Sequence, residues 1–287
     1  MIRNKKLKKA EEIFFKTVMI ISTTLIILTL GYIILSIFIK SIHALSWEMI
    51  TRVPSGGYYY GKGGGILNAI LGSLYLSVGA TLLSMLISTP IALYMNVHLT
   101  RRARLVNFVR YLLDVIWGVP SIVYGAFGFT LMVFLGIHTS LLAGIITVTL
   151  FIIPIMVRAM DEVLKTIPIG LMESALSLGS MKSEVAWRVY LRQASSGILT
   201  AVLLAFGRGF GDAASVLFTA GYTDSIPTSL SEPVATLPLS IFFQLASPVP
   251  EVQERAYASA MVLTFIILII SIGSRVLTKK YLKNKIQ

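Results

Sequence analysis

Long apolar stretches separated by shorter polar segments dominate the chain. A membrane helix needs about 20 predominantly apolar residues. Six stretches satisfy that length, at roughly 14–39, 66–97, 106–135, 138–160, 194–220 and 256–278. Two polar segments, at about 161–193 and about 221–255, are too long to be simple turns. The pattern predicts an all-α, polytopic membrane protein with six transmembrane helices.

Three prolines, Pro90, Pro120 and Pro154, fall inside the predicted helices. Proline is tolerated in membrane helices because neighbouring helices and local adjustments satisfy the carbonyl groups that it frees. The three prolines are therefore compatible with the predicted membrane helices.

The basic residues predict the orientation in the membrane. Six lysines and arginines precede or begin the first helix, and four, five and five more lie at 101–110, 158–192 and 275–285. If the chain crosses the membrane six times, all these segments lie on the same side of the membrane. The other side has only Lys40, Arg52, Lys62 and Arg255. We therefore expect a multi-pass protein of the cell membrane with both termini in the cytoplasm. The net charge of +12 then reflects topology and contact with anionic lipid, not nucleic-acid binding.

Several classes of site are excluded by residue usage. The chain has no cysteine, which excludes disulfides, thiolate metal sites and a cysteine nucleophile. Its three histidines show no metal-ligand spacing. The segment GYYYGKG at 57–63 has three residues between its glycines and lacks Ser or Thr after the lysine, so it is not a nucleotide-binding loop. We expect the chain to bind no cofactor.

The polar segment at about 161–193 contains a short amphipathic pattern. Leu171, Ala175 and Leu178 recur at i, i+4 and i+7, which predicts one apolar face of a helix. Gly179 and Ser180 predict a helix stop and the N-cap of a second helix. The apolar face of such a helix is buried either on the lipid surface or in a groove of a partner protein, and the pattern leaves both open.

Three ionisable residues fall within predicted membrane helices: Arg208, Asp212 and Asp114. Charges in the membrane are costly and usually functional. Arg208 and Asp212 are four positions apart, so we expect them to share a helix face. Because a guanidinium group matches an oxyanion, we hypothesise that a passing oxyanion exchanges with Asp212 as the partner of Arg208. The alternative is a structural ion pair, and for Asp114 a pairing with Arg110.

The segment after 171 resembles the coupling loop of binding-protein-dependent ABC importer permeases. That family has Glu-Ala-Ala, three residues, Gly, nine residues, an aliphatic residue, one residue and Leu-Pro. This chain departs from the pattern at Ser174 and at Arg192, which replaces the proline. The resemblance implies a type I ABC importer permease fold with a cytoplasmic coupling helix. The coupling-loop residues are Glu173, Ser174, Ala175, Leu178, Gly179, Val189 and Leu191.

Two further segments resemble the phosphate-transport permeases, and the second is closer to their PstA-type than to their PstC-type subunits. One is Gly-Val-Pro-Ser-Ile-Val-Tyr-Gly at 118–125, and the other is Arg-Gly-Phe-Gly-Asp-Ala-Ala at 208–214 followed by Leu-Phe-Thr-Ala-Gly at 217–221. Asp212 replaces the family's glutamate. The predicted substrate-pathway residues are Arg208, Asp212, Asp114, Ser121 and Tyr124.

The resemblance covers about residues 60 to 280 and implies an assembly. A homologous PstC-type permease would complete the pathway, and two copies of a cytoplasmic ATPase subunit would bind ATP and Mg. An external phosphate-binding protein would dock on the loop at about 221–255. In this division, 1–65 holds the N-terminal tail, first helix and an external loop, 66–280 is the permease core, and 281–287 is a basic tail.

Three alternatives remain open at this stage. One is a permease of the same class for molybdate, sulfate or phosphonate. Another is a sensory membrane subunit that controls a phosphate-responsive pathway. The third is a membrane-embedded enzyme, which has little support because the chain contains neither HExxH nor GxSxG. We therefore expect a non-catalytic subunit.

Overall fold

The computed structural model describes residues 5–55, 63–100 and 102–283. These residues are mostly helical. The predicted loop residues 56–62 and the end of the basic tail, 284–287, lie outside the described residues. The α-helices are α1 (Lys5–Ser41), α2 (Trp47–Thr51), α3 (Leu67–Leu93), α4 (Ala103–Trp117), α5 (Ser121–Phe134), α6 (Leu141–Lys165), α7 (Ile169–Ser177), α8 (Lys182–Glu184), α9 (Leu191–Phe210), α10 (Leu237–Leu245) and α11 (Pro250–Lys283). Two π-helical segments, Tyr94–His98 and Val185–Tyr190, follow α3 and precede α9.

Five helical runs in the described part of the chain are long and apolar enough to cross a membrane. They are Lys8–Ser41, Leu67–His98, Leu141–Lys165, Lys182–Phe210 and Pro250–Gly273. The sixth predicted span is a pair of helices, α4 and α5, bent by 93° at residues 118–120.

The bend distinguishes Pro120 from the other two prolines that fall inside predicted membrane helices. Pro120 immediately precedes α5, and its ring fixes φ at −57° with no N–H to continue the hydrogen-bond ladder of α4. Gly118 and Val119 before it lie outside both helices. Pro90 and Pro154, by contrast, lie inside α3 and α6, which continue through them as expected.

The core forms where α3, α6 and α9 pack together. The contacting face of α3 carries small residues such as Ser77, Ala80 and Ser84, all buried. Small residues let helix backbones approach closely, which favours association within a bilayer. Hydrogen bonds cross the same seam: the Thr149 hydroxyl donates to the Ala80 carbonyl at 3.3 Å, and the Ser84 hydroxyl donates to Met156 Sδ at 3.6 Å.

The segment between α9 and α11 folds back onto the ends of α3 and α6. The first amides at the start of α6 find carbonyl partners in it: Leu141 N donates to Glu232 O at 2.8 Å and Leu142 N to Leu230 O at 2.9 Å. Leu237 N donates to Ser73 Oγ at 2.7 Å. The predicted loop at about 221–255 therefore contains a helix, α10, whose Leu237 and Leu239 are completely buried.

Candidate functional site

α9 ends before Asp212, so the expected helix face shared by Arg208 and Asp212 does not form. Gly211 caps the helix and donates its N–H to Gly207 O at 3.2 Å. The Asp212 carboxylate instead accepts from the backbone N–H of Ser215 at 2.8 Å. Glycines weaken the last turn, and aspartate competes for backbone donors by forming such turns. The Arg208–Asp212 pairing is therefore wrong for this structure.

Arg208 contacts an aromatic ring instead. Its guanidinium carbon lies 5.2 Å from the centre of the Phe151 ring of α6, within the range of a cation–π interaction. The same ring packs edge-on against Tyr124 of α5, with centroids 5.4 Å apart. Phe151 thus brings together two predicted pathway residues, Arg208 and Tyr124. Sequence reasoning missed Phe151 because it is one of many aromatics in apolar helices, and no motif marks it.

Tyr124 also ties α5 to α4 across the bend. Its hydroxyl donates to the Ile116 carbonyl at 2.7 Å, in the last turn of α4. Ser121 occupies the first position of α5 and is partly exposed beside the bend. The predicted segment at 118–125 therefore forms the corner between the two helices, and Tyr124 fastens that corner.

The segment after α9 packs directly on α5. A Cβ atom at Gly125 would lie 2.7 Å from the Ala214 carbonyl and 3.0 Å from the Ser215 carbonyl, so only glycine permits this approach. Asp212 is buried in this segment. Ser215 Oγ is buried too, and no hydrogen-bond partner for it occurs among the described residues. The two predicted phosphate-permease segments, 118–125 and 208–221, are therefore in contact.

Asp114 lies apart from Arg208, in a second cluster of charges. Its carboxylate accepts from Arg158 Nε of α6 at 2.6 Å. The expected alternative partner, Arg110, pairs with Asp161 instead, at 2.9 Å and 3.0 Å through two of its nitrogens. The cluster joins α4 to α6.

Asp161 is the centre of this cluster, and its side chain is fully buried. It accepts hydrogen bonds from Asn96 at 2.8 Å and from Arg158 at 2.9 Å as well as from Arg110, and it lies 3.2 Å from Lys165 Nζ. Four cationic or amide groups thus surround one carboxylate. Sequence reasoning missed it because Asp161 falls at the predicted end of a membrane helix, where an acid usually faces water.

The coupling-loop segment has the predicted helix, turn and helix. α7 ends at Ser177, and Gly179 adopts φ +86° in the left-handed region. Ser180 N donates to Ala175 O at 3.2 Å, which closes the turn. The N-cap of the next helix is Met181 and not Ser180, with the Glu184 carboxylate accepting from Met181 N at 3.0 Å.

The residues of this loop divide into an inner and an outer set. Ala175, Val189 and Leu191 pack against the core. Leu178 is 87% exposed, and Glu173, Ser174 and Gly179 are exposed with it. The apolar Leu178 side chain thus projects away from the protein at the tip of the loop.

Arg192, which stands in place of the family proline, lies inside a continuous helix. Residues Lys182–Phe210 form one helical run that includes the π segment Val185–Tyr190. A proline at this position would remove a helix hydrogen bond. The arginine is compatible with an uninterrupted connection from the coupling loop to α9.

One loop carboxylate has a shifted pKa. The backbone N–H of Thr228 donates to Glu232 at 2.7 Å and its hydroxyl donates at 2.9 Å. These bonds favour the charged form and hold the pKa of Glu232 below its ordinary value. The contribution of Glu232 to loop stability is therefore present above its unfolded pKa and is lost as the pH falls through the lower folded pKa.

Glu232→Gln should accordingly loosen this loop at neutral pH. We expect faster hydrogen exchange in a peptide spanning 225–235, expressed as a protection factor relative to the intrinsic rate at each pH. The difference from the wild type should vanish below the folded pKa of Glu232, where both side chains are neutral. Equal protection in the two proteins at neutral pH would contradict this role.

Comparison with known proteins places these features in context. The chain matches the family model described as binding-protein-dependent transport system inner membrane component over residues 88–281. It is 36% identical over 250 residues to the phosphate transport system permease protein PstA of Haemophilus influenzae, covering 86% of this chain and 86% of the relative. It is 37% identical over 227 residues to PstA of Xylella fastidiosa, covering 78% and 77%.

Other relatives and a solved structure agree on the architecture. The chain is 29% identical over 257 residues to the probable ABC transporter permease protein YqgI of Bacillus subtilis, covering 83% of this chain and 85% of the relative. An inward-facing structure of the MetNI methionine ABC transporter superposes with a TM-score of 0.62 at 17% identity, covering 75% of this chain and 95% of that chain. The predicted all-α fold of an ABC importer permease is confirmed.

Proposed function

Because the chain belongs to the family of binding-protein-dependent transport system inner membrane components, we propose that it is the permease subunit of an ABC importer for inorganic phosphate. The observation that supports phosphate as the substrate is the 34–37% identity of this chain with phosphate permeases over most of its length. Both segments that resemble those permeases meet around Phe151 and Gly125. The site is thus a contact between α5, α6 and the end of α9.

Arg208 is the proposed phosphate-binding group of this site. An arginine fork matches the geometry and charge of phosphate oxygens. The ring of Phe151 offers only a weak interaction, and Asp212 is engaged with Ser215. A phosphate that reaches Arg208 therefore does not have to displace a carboxylate. Exchange of phosphate for Asp212 at Arg208 is not part of this mechanism. Asp212 instead holds the turn that packs on α5.

The remaining pathway residues have positioning roles in this proposal. Tyr124 holds the 93° corner through Ile116 and supports the Phe151 ring. Ser121 borders the same corner and offers a hydroxyl to a passing oxyanion. Asp114 acts at a distance, by joining α4 to α6 through Arg158. Within this arrangement the chain catalyses no reaction itself.

The assembly that we propose follows from family membership and from exposed surfaces. ATP and Mg bind to two copies of a separate ATPase subunit, which dock on the coupling loop around Leu178. A PstC-type permease completes the pathway, and an external phosphate-binding protein docks on the segment around α10. The distribution of basic residues supports cytoplasmic termini.

Leu178→Asp should detach the ATPase without unfolding the chain. The side chain is 87% exposed, so the substitution removes apolar area from the proposed docking surface and adds a charge to it. We expect at least about a tenfold loss of co-purifying ATPase, because one interface anchor often contributes 2 kcal/mol or more.

The matched control for this variant is Leu230→Asp. Leu230 is 54% exposed. In the proposed orientation it lies on the opposite side of the membrane from the coupling loop. It should retain the ATPase at the wild-type level. Retention of the ATPase by Leu178→Asp would place the docking surface elsewhere.

The experiment that tests the proposed function is uptake of radiolabelled phosphate into proteoliposomes. The vesicles contain this chain with the second permease and the ATPase, and binding protein is added outside. We expect uptake that needs both ATP and binding protein and that resists excess sulfate or molybdate. Transport of sulfate or molybdate in place of phosphate would retain the permease fold and overturn the substrate. Absence of any transport by an assembled complex would favour a sensory subunit.

A further inference from the structure

A groove of about 450 Å³ lies between α9 and α11. One face of each helix lines it, at positions 200, 203, 204, 207 and 208 of α9 and 267, 270, 271 and 275 of α11. The spacing of three and four residues keeps each set on one side of its helix. The groove therefore follows the two helices lengthwise.

Arg208 and Arg275 lie at opposite ends of this groove. Phe206 and Phe210, near the end of α9, pack in one cluster with Leu263 and Ile267 of α11. The end of α9 is thus beside the first half of α11, and the two helices run antiparallel. Arg275 is eight positions after Ile267, which corresponds to about 12 Å along the helix.

The charge of the groove is not balanced by the stretches of α9 and α11 that line it. α9 contains no aspartate or glutamate between 191 and 210, and the sequence has none between 256 and 287. Among the residues that the structure describes, the groove lining contains no carboxylate and is otherwise mainly apolar, with Leu203, Leu204 and Ile270. Two guanidinium groups in such surroundings are unfavourable unless an anion accompanies them.

Ser271 adds a hydrogen-bond donor next to Arg275. The two residues are one helical turn apart and both line the groove. A hydroxyl and an arginine fork together can donate several hydrogen bonds to a tetrahedral oxyanion. The apolar lining between the two arginines limits how tightly an ion is held along the way, as release from a pathway requires.

We propose that a phosphate oxyanion binds in this groove at Arg275 and Ser271, as a second station after Arg208. This inference rests on the proposed function, because it takes the transported phosphate as the occupant. In the proposed orientation, Arg275 lies toward the cytoplasm, so this station receives phosphate on its way in. An anionic lipid headgroup offers the same chemistry and is the competing occupant.

The lack of cysteine in this chain allows a direct test. Ser271→Cys introduces its only thiol, and the assembled complex is reconstituted in vesicles of phosphatidylcholine. The rate of thiol modification on this chain is measured with an anionic and a cationic methanethiosulfonate reagent of similar size. We expect the anionic reagent to react roughly tenfold faster, because Arg275 and Arg208 attract it. Inorganic phosphate should slow this reaction, and chloride at equal ionic strength should not.

Two further variants separate the site from general accessibility. Arg275→Gln in the Ser271→Cys background should abolish both the charge preference and the protection by phosphate. Phe265→Cys is the matched control, because Phe265 lies on the same helix ten positions before Arg275, is 62% exposed and does not line the groove. It should show neither effect. Equal rates with the two reagents in Ser271→Cys would overturn the site.

The same experiment distinguishes failure of this site from failure of the proposed function. Equal reagent rates together with normal, Arg208-dependent phosphate uptake would remove the groove site and leave the function intact. A charge preference without phosphate protection, in a complex that transports no phosphate, would overturn both the occupant and the function. Protection that appears only when phosphatidylglycerol is added to the vesicles would assign the groove to a lipid headgroup and overturn its place in the pathway.

Discussion

Replacing Arg208 with glutamine is expected to lower ATP-dependent phosphate uptake by about 10- to 100-fold, while the complex stays assembled. A hydrogen bond to a charged group contributes about 1.5–3 kcal/mol, and each 1.4 kcal/mol corresponds to a factor of ten. Glutamine keeps much of the side-chain length but loses the charge and the fork. Because Arg208 makes an aromatic contact and is exposed, the fold itself should tolerate the change.

Two controls make the Arg208 result specific. Arg208→Lys retains the charge without the planar fork and should restore part of the uptake. Arg52→Gln makes the same chemical change at a side chain that is 69% exposed and paired with Glu48, and it should transport normally. Uptake at the wild-type level in Arg208→Gln would make Arg208 a packing element and refute the proposed binding group.

Asp161→Asn is expected to destabilise the protein by about 3–5 kcal/mol, the usual effect of removing one partner from a buried ion pair. The fully buried carboxylate neutralises Arg110 and Arg158 and lies close to Lys165. Asparagine fills the same space but leaves these cations without their central counter-charge. The thermal unfolding midpoint of the purified protein in detergent should fall by many degrees.

Glu162→Gln provides the matched control for Asp161→Asn. Glu162 is the next residue and pairs with Arg158 and Lys165 as well, yet its side chain is 59% exposed. Exposed ion pairs contribute at most about 1 kcal/mol, so this variant should unfold close to the wild-type temperature. Similar midpoints for the two variants would show that the burial of Asp161 does not determine the strength of the cluster.

Local patterns along the sequence predicted the coupling loop well. Gly179 supplies the left-handed conformation that ends the first helix, as predicted. The predicted common apolar face does not form, because α7 ends at Ser177, Ala175 packs against the core and Leu178 projects away from it. The signals for the helix, the turn and the next helix depend only on neighbouring residues, so tertiary contacts did not alter these elements. The shift of the N-cap from Ser180 to Met181 is a difference of one residue.

The same local logic failed at the end of α9. A spacing of four residues places Arg208 and Asp212 on one face only if the helix continues. The glycines at 207, 209 and 211 and the turn-forming carboxylate ended it first. The residue types at these positions favoured the end of the helix. The surrounding apolar run, which is long enough to cross the membrane, predicted instead that the helix continues.

Long-range partners were the other part that sequence reasoning could not supply. Asp114 is 44 residues from Arg158, and Arg110 is 51 residues from Asp161. A single sequence shows the charges and their neighbours but not which helices pack together. Phe151 is a similar case, because its role depends on the approach of Tyr124 and Arg208 from two other helices.

The unbroken helical run Lys182–Phe210 joins the coupling loop to the proposed binding group through α8, the π-helical segment Val185–Tyr190 and α9. At 1.5 Å per residue, Arg208 lies about 26 Å from Leu191. A tilt of about ten degrees around Leu191 therefore displaces the guanidinium by about 4.5 Å, more than the length of a hydrogen bond. A small tilt at the coupling loop is thus amplified into making or breaking ligand contacts at Arg208, near the other end of α9.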